Sequence, residues 1–144
     1  MHIRLLYHTF LIVLTAALRA HAQSAWTISR TNLPEVTGAA AIAYGNGRFV
    51  VTLAGGNNAP AAAWSTDGKT WNAAQLRFPR SGSLVFVSSS FYLAGDGGVF
   101  RSTDGEIWQR IYQPTGTRPF NHITTDGRAL LVGYSYGSAL PLHY

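Results

Sequence analysis

The chain has 144 residues, 11 basic against 6 acidic, a formal charge of +5 and no cysteine. The missing cysteine excludes disulfides, thiolate metal sites and a cysteine nucleophile. An apolar fraction of 47% excludes a disordered chain, and six carboxylates leave few candidates for chemistry that needs several.

In chain order, the first element is an address. Met1–Arg4 is a short basic start, Leu5–Leu18 is apolar, and Arg19-Ala20-His21-Ala22 closes the segment with an A-x-A-type site. This layout predicts a secretory signal peptide over residues 1–22, cleaved after Ala22, and hence a secreted or periplasmic chain. Fourteen apolar residues interrupted by His8 fall short of the ~20 that a bilayer crossing needs, so no stable membrane insertion is expected. Loss of Arg4 and Arg19 leaves nine basic and six acidic residues, a charge of +3. With no basic run, nucleic acid is not an expected partner.

The remainder is repetitive. Trp26 opens the segment WTISR, which reads as a stray outer strand over residues 25–30. Ala39–Tyr44 then leads through Gly45-Asn46-Gly47 into Arg48–Leu53, and Ser65-Thr66-Asp67-Gly68-Lys69-Thr70-Trp71 follows. The pattern returns as Leu84–Val87, Ser88–Ser90 and Phe91–Ala94, followed by Ser102-Thr103-Asp104-Gly105-Glu106-Ile107-Trp108. A third copy runs through Asn121–Thr124, Thr125-Asp126-Gly127 and Arg128–Gly133. Asn-Gly and Asp-Gly suit type I′ hairpins, in which both central residues need φ > 0. No convincing 3.6-residue period occurs, so the chain reads as all-β. Each unit holds about four strands, here a to d, in roughly 40 residues, the size of one β-propeller blade. The expected architecture is a partial β-propeller of about three four-stranded antiparallel blades over residues 23–144. Approximate blades are 36–75, 80–112 and 118–144, the last incomplete. The a–b turns fall near Asn46, Ser89 and Asp126, and the S-T-D-G boxes form the c–d turns.

The two S-T-D-G-x-x-W boxes resemble the Asp-box, or BNR repeat, of sialidase-like propellers, and Tyr44–Val50 is similar to a pattern of divergent secreted bacterial repeat proteins. Both boxes are one residue shorter than the commonest form, and Ile107 replaces the usual threonine. The residues expected to build the boxes are Ser65, Asp67, Gly68 and Trp71, and Ser102, Asp104, Gly105 and Trp108. Aspartate can accept hydrogen bonds from its own turn, glycine supplies positive φ, and each tryptophan is expected to bury its ring against the neighbouring blade. In the family they resemble, such boxes lie away from the catalytic face.

A sialidase resemblance implies an arginine triad, a tyrosine nucleophile with a glutamate, and an acid/base aspartate. Asp67, Asp104, Asp96 and Asp126 all read as turn residues, Glu106 opens an outer strand, and only Glu35 is unassigned, so no carboxylate pair and no catalytic residue is expected. His122 reads as a packed core residue, and no metal site or cofactor is expected. One constellation points to binding. Arg77, Arg80 and Arg118, with Phe78, Tyr134 and Tyr136, fall on or near the d–a and b–c connections opposite the boxes. Guanidinium pairs with carboxylates and tyrosine stacks on sugar rings, so this rim suits an acidic glycan or protein ligand.

The favoured reading is therefore a secreted, non-catalytic propeller that binds a ligand through its loop face. The alternatives are a fragment of a sialidase-like exo-glycoside hydrolase, with its catalytic residues elsewhere, and a stability factor resembling photosystem-assembly propellers. Three blades fall short of the usual four to eight. Either the chain is truncated, the favoured account, or it closes a ring by oligomerising. Open sheet edges would then also favour self-association.

Overall fold

The computed structural model describes residue 33 and residues 36–55, 58–77, 81–115, 120–134 and 139–143, the last segment and residues 36 and 81 as backbone. The expected signal peptide, the stray strand over 25–30, and Phe78, Arg80, Arg118 and Tyr136 lie outside these residues.

Eleven strands among the described residues form three antiparallel sheets. The first holds β1 (Val36–Gly45), β2 (Arg48–Gly55), β3 (Ala62–Ser65) and β4 (Asn72–Ala73), paired in chain order. The second repeats it with β5 (Ser81–Val87), β6 (Ser90–Gly95), β7 (Gly98–Ser102) and β8 (Gln109–Tyr112). The third holds β9 (Phe120–Thr125), β10 (Ala129–Tyr134) and β11 (Ala139–His143). β1 packs beside β5 and β5 beside β9, so the first strand of each sheet is innermost. This is the radial order of propeller blades, and the chain is a partial β-propeller.

Burial along each strand follows the number of neighbouring sheets. β6, SFYLAG, is buried at every position. Phe91 and Leu93 join Val50, Ala62 and Ala74 in a core between the first and second sheets. From the opposite face of β6, Tyr92 and Ala94 join Phe120, Ile123, Leu130 and Val132 in a core between the second and third. A strand covered on both faces reads as a continuous apolar run, whereas β10 buries only alternate residues and leaves Leu131 exposed. A third core, Val51, Leu53, Ala63 and Trp71 with Leu33 and Phe49, lies on the far face of the first sheet.

Polar side chains stitch the inner strands together. Thr52 Oγ1, fully buried, accepts from Ala41 N at 2.9 Å and donates to Gly82 O at 2.9 Å, joining the first sheet to the second. Ser83 Oγ accepts from Ile123 N and so links the second sheet to the third.

The a–b turns depart from expectation in one place. Asn46-Gly47 has φ of 49° and 76°, the expected double positive, and Ser88-Ser89 achieves 48° and 56° without glycine. At Asp126-Gly127 only the glycine has positive φ. The loop is one residue longer, and Asp126 Oδ1 instead accepts from Arg128 N at 2.8 Å and Ala129 N at 2.9 Å. His122 is exposed rather than packed, because the residues that face the second sheet from β9 are Phe120 and Ile123.

Candidate functional site

The sheets have two functionally distinct ends. The a–b turns and the S-T-D-G boxes share one end, and the b–c and d–a connections share the other.

Each box is closed by its own side chains. Ser65 Oγ donates to Asp67 Oδ1 at 2.9 Å and accepts from Gly68 N at 2.9 Å, while the same carboxylate oxygen accepts from Lys69 N and Thr70 N, both at 2.8 Å. The second box repeats the set: Ser102 Oγ to Asp104 Oδ1 at 2.9 Å, Gly105 N to Ser102 Oγ at 2.8 Å, and Glu106 N and Ile107 N to Asp104 Oδ1 at 2.9 and 3.0 Å. Gly68 and Gly105 have φ of 69° and 77°. Charge-assisted bonds from backbone N–H groups favour the ionised carboxylate. Those of Thr70 and Lys69, with the Ser65 hydroxyl, hold Asp67 down at about 2. Around Asp104, burial pushes the pKa up but is outweighed by the N–H groups of Ile107 and Glu106, the Ser102 hydroxyl and the Arg48 charge, so it too lies below the usual range. The N–H groups of Ala129 and Arg128 likewise lower Asp126. These aspartates are held as permanent anions, unsuited to donating a proton near neutrality.

The tryptophans divide. Trp108 is half-buried beside the core between the first and second sheets, and its Nε1 donates to Gly105 O at 2.9 Å. Trp71 is buried, but not against the described neighbouring blade as expected. It packs with Val51, Leu53 and Ala63 of its own sheet and with Leu33, because its ring faces away from the second sheet.

Two residues that sequence reasoning passed over join the second box to the first sheet. Asn46 Nδ2 donates to Ser89 O at 3.0 Å and Thr103 O at 2.9 Å. Arg48 Nη1 donates to Asp104 O at 2.8 Å and lies 4.0 Å from Glu106 Oε2, while its guanidinium stacks 4.1 Å from the Trp64 ring. Glu106 therefore belongs to the box turn rather than to an outer strand, and its carbonyl accepts from Gln75 N at 2.8 Å. The one available signal was the G-N-G-R turn, which carries an arginine immediately after a hairpin.

At the opposite end, the described members of the expected rim are both engaged. Arg77 is exposed, its Nη1 donates to Asn58 O at 2.7 Å, and its backbone bridges to Pro60. It thereby pins the connection between β2 and β3 to the end of the first blade. Tyr134 is half-buried and stacks on Phe120, with centroids 4.4 Å apart. A depression of about 400 Å³ lies instead beside the second box, lined by Arg101, Asp104, Ile107, Trp108 and Gln109 among others. Among the described residues no cluster of three or more metal-ligating side chains occurs, and no helix is long and apolar enough to cross a membrane.

A family model described as the DUF6242 beta propeller domain matches residues 23–143 of the chain. No curated protein and no solved structure matches it.

Proposed function

The chain belongs to the family of the DUF6242 beta propeller domain, and we propose that it is an exported, non-catalytic propeller module that holds an acidic glycan or protein ligand at its loop end. One observation carries this reading. Asp67, Asp104 and Asp126 are each consumed by a turn at the box end, whereas Arg77 is exposed and braced at the other. An arginine held by one nitrogen keeps further N–H donors for a carboxylate, and bracing lowers the entropy lost on binding. Arg80, Arg118, Phe78 and Tyr136 complete the rim in this proposal. Export rests on the residue 1–22 leader, for which N-terminal sequencing of the released chain should begin at Gln23.

The test is binding of immobilised sialylated and sulfated glycans by the wild-type chain and by a variant carrying Arg77→Ala, Arg80→Ala and Arg118→Ala. Binding should fall at least tenfold in the variant while its circular dichroism is retained. Unchanged binding would contradict the rim.

The second reading, kinship with sialidase-like hydrolases, is favoured by the identical hydrogen bonding of the two boxes. It predicts turnover of a fluorogenic sialoside, whereas the binding-module reading predicts none.

A further inference from the structure

Ile42 and Tyr44 are 61% and 59% exposed, although both sit in the middle of a well-paired strand. Their counterparts in the second sheet account for them. Tyr44 pairs with Phe49 across β1 and β2 as Phe86 pairs with Phe91 across β5 and β6, and Ile42 corresponds in register to Leu84. The two ring pairs share a geometry, with centroids 4.7 and 4.8 Å apart and planes tilted by 50° and 54°. Leu84, Phe86, Phe91 and Leu93 all pack into the core between the first and second sheets. Ile42 and Tyr44 therefore occupy blade-to-blade positions, and no described sheet lies against them. The outer half of the same face, Val51, Leu53 and Trp71, is already buried with Leu33.

The third sheet presents the complementary half. Leu130 and Val132 face the second sheet, so Leu131 faces away and is 45% exposed, beside an apolar depression of about 300 Å³ lined by Thr124, Ala129 and Leu131 among others. The residues that correspond to Leu131 are Val50 and Tyr92, each buried against the following sheet. One end of the chain thus displays the kind of surface that the other end needs.

The turns carry matching charge. Inside the chain, Arg48 of one turn reaches Glu106 of the next box. The outer box carries Lys69 at the Glu106 position, and the turn of the third sheet offers Asp126 and Arg128, all three exposed.

We propose that the first-sheet face of one copy seats on the third-sheet face of a second copy, and reciprocally, so that two copies close a ring of six blades. Six lies within the range of known propellers. The arrangement is a pair of identical head-to-tail junctions related by a two-fold axis, which closes rather than propagating. It is independent of what the loop end binds.

Sedimentation velocity of the full chain across a concentration series tests it. Wild type should sediment as a dimer. Tyr44→Arg and Leu131→Arg, both at exposed positions, should each give a monomer with unchanged circular dichroism and melting. Mixing those two variants should restore a weaker dimer, because one wild-type junction survives in the mixed pair. A monomeric wild type or an open-ended ladder of species would overturn the proposal. So would loss of the dimer in only one of the two variants, since it would mean a like-with-like contact.

Discussion

The two boxes, Ser65–Trp71 and Ser102–Trp108, share their sequence core and match bond for bond within 0.2 Å, yet their surroundings differ. The first is exposed at Thr66, Asp67, Lys69 and Thr70, whereas the second has Gly105 buried and is gripped by Asn46 and Arg48 of the preceding sheet. A Cβ at Gly68 would meet nothing nearer than Phe49 at 3.8 Å, but one at Gly105 would lie 2.4 Å from Val50 Cγ2. The turn is thus a local object that serine, aspartate and glycine build unaided. It becomes a joint between blades only where a neighbouring hairpin reaches it.

Several substitutions should break or sharpen this contrast. The largest effect falls on the tryptophans and runs against the turns. Trp71→Ala should cost about 3–5 kcal/mol in urea unfolding, the usual range for a buried aromatic, and Trp108→Ala should cost less, because that ring is only half-buried. Next come the glycines. Gly68→Ala should cost about 1–2 kcal/mol for the left-handed backbone alone. Gly105→Ala should cost roughly 2–5 kcal/mol, because overpacking against Val50 adds to the same backbone term. Equal costs would mean that the second box is not wedged between sheets. Arg48→Ala should cost about 1–2 kcal/mol, from the lost hydrogen bond and the stacking on Trp64, while Lys69→Ala should be close to neutral.

The smallest effect is acid sensitivity. Because the folded-state pKa of Asp67 lies near 2 against an ordinary 3.8, its contribution is complete above about pH 4 and is lost as pH falls toward 2. Asp104 and Asp126 are shifted in the same direction. Stability should therefore decline below pH 4 in wild type, and less steeply in Asp67→Asn.

Much of the architecture was legible because it is written locally. The boxes, the Asn46-Gly47 hairpin and the alternation of short strands each depend on residues a few positions apart. The Asp126 turn was misread because a single extra loop residue changes the hairpin class while D-G stays the same. His122 and Trp71 were misassigned because strand periodicity gives two faces but not which of them meets a neighbouring sheet. Asn46 and Arg48 were missed for a related reason, since their partners lie 43 to 57 residues away across a gap between sheets. For the rim, Arg77 and Tyr134 were identified from their place in the connections, but their engagement with Asn58 and Phe120 depends on packing that spacing does not encode.

The most direct test of the account is native-state hydrogen exchange at the Gly68 and Gly105 amides, measured in the Tyr44→Arg chain so that the outer face of the first sheet stays open. Both amides donate to a box serine at nearly the same distance, 2.9 and 2.8 Å, so local bonding alone predicts equal protection. The account predicts that Gly68 exchanges by local opening, whereas Gly105 exchanges only when the first two sheets separate, and therefore at least tenfold more slowly. Equal exchange at the two glycines would contradict it.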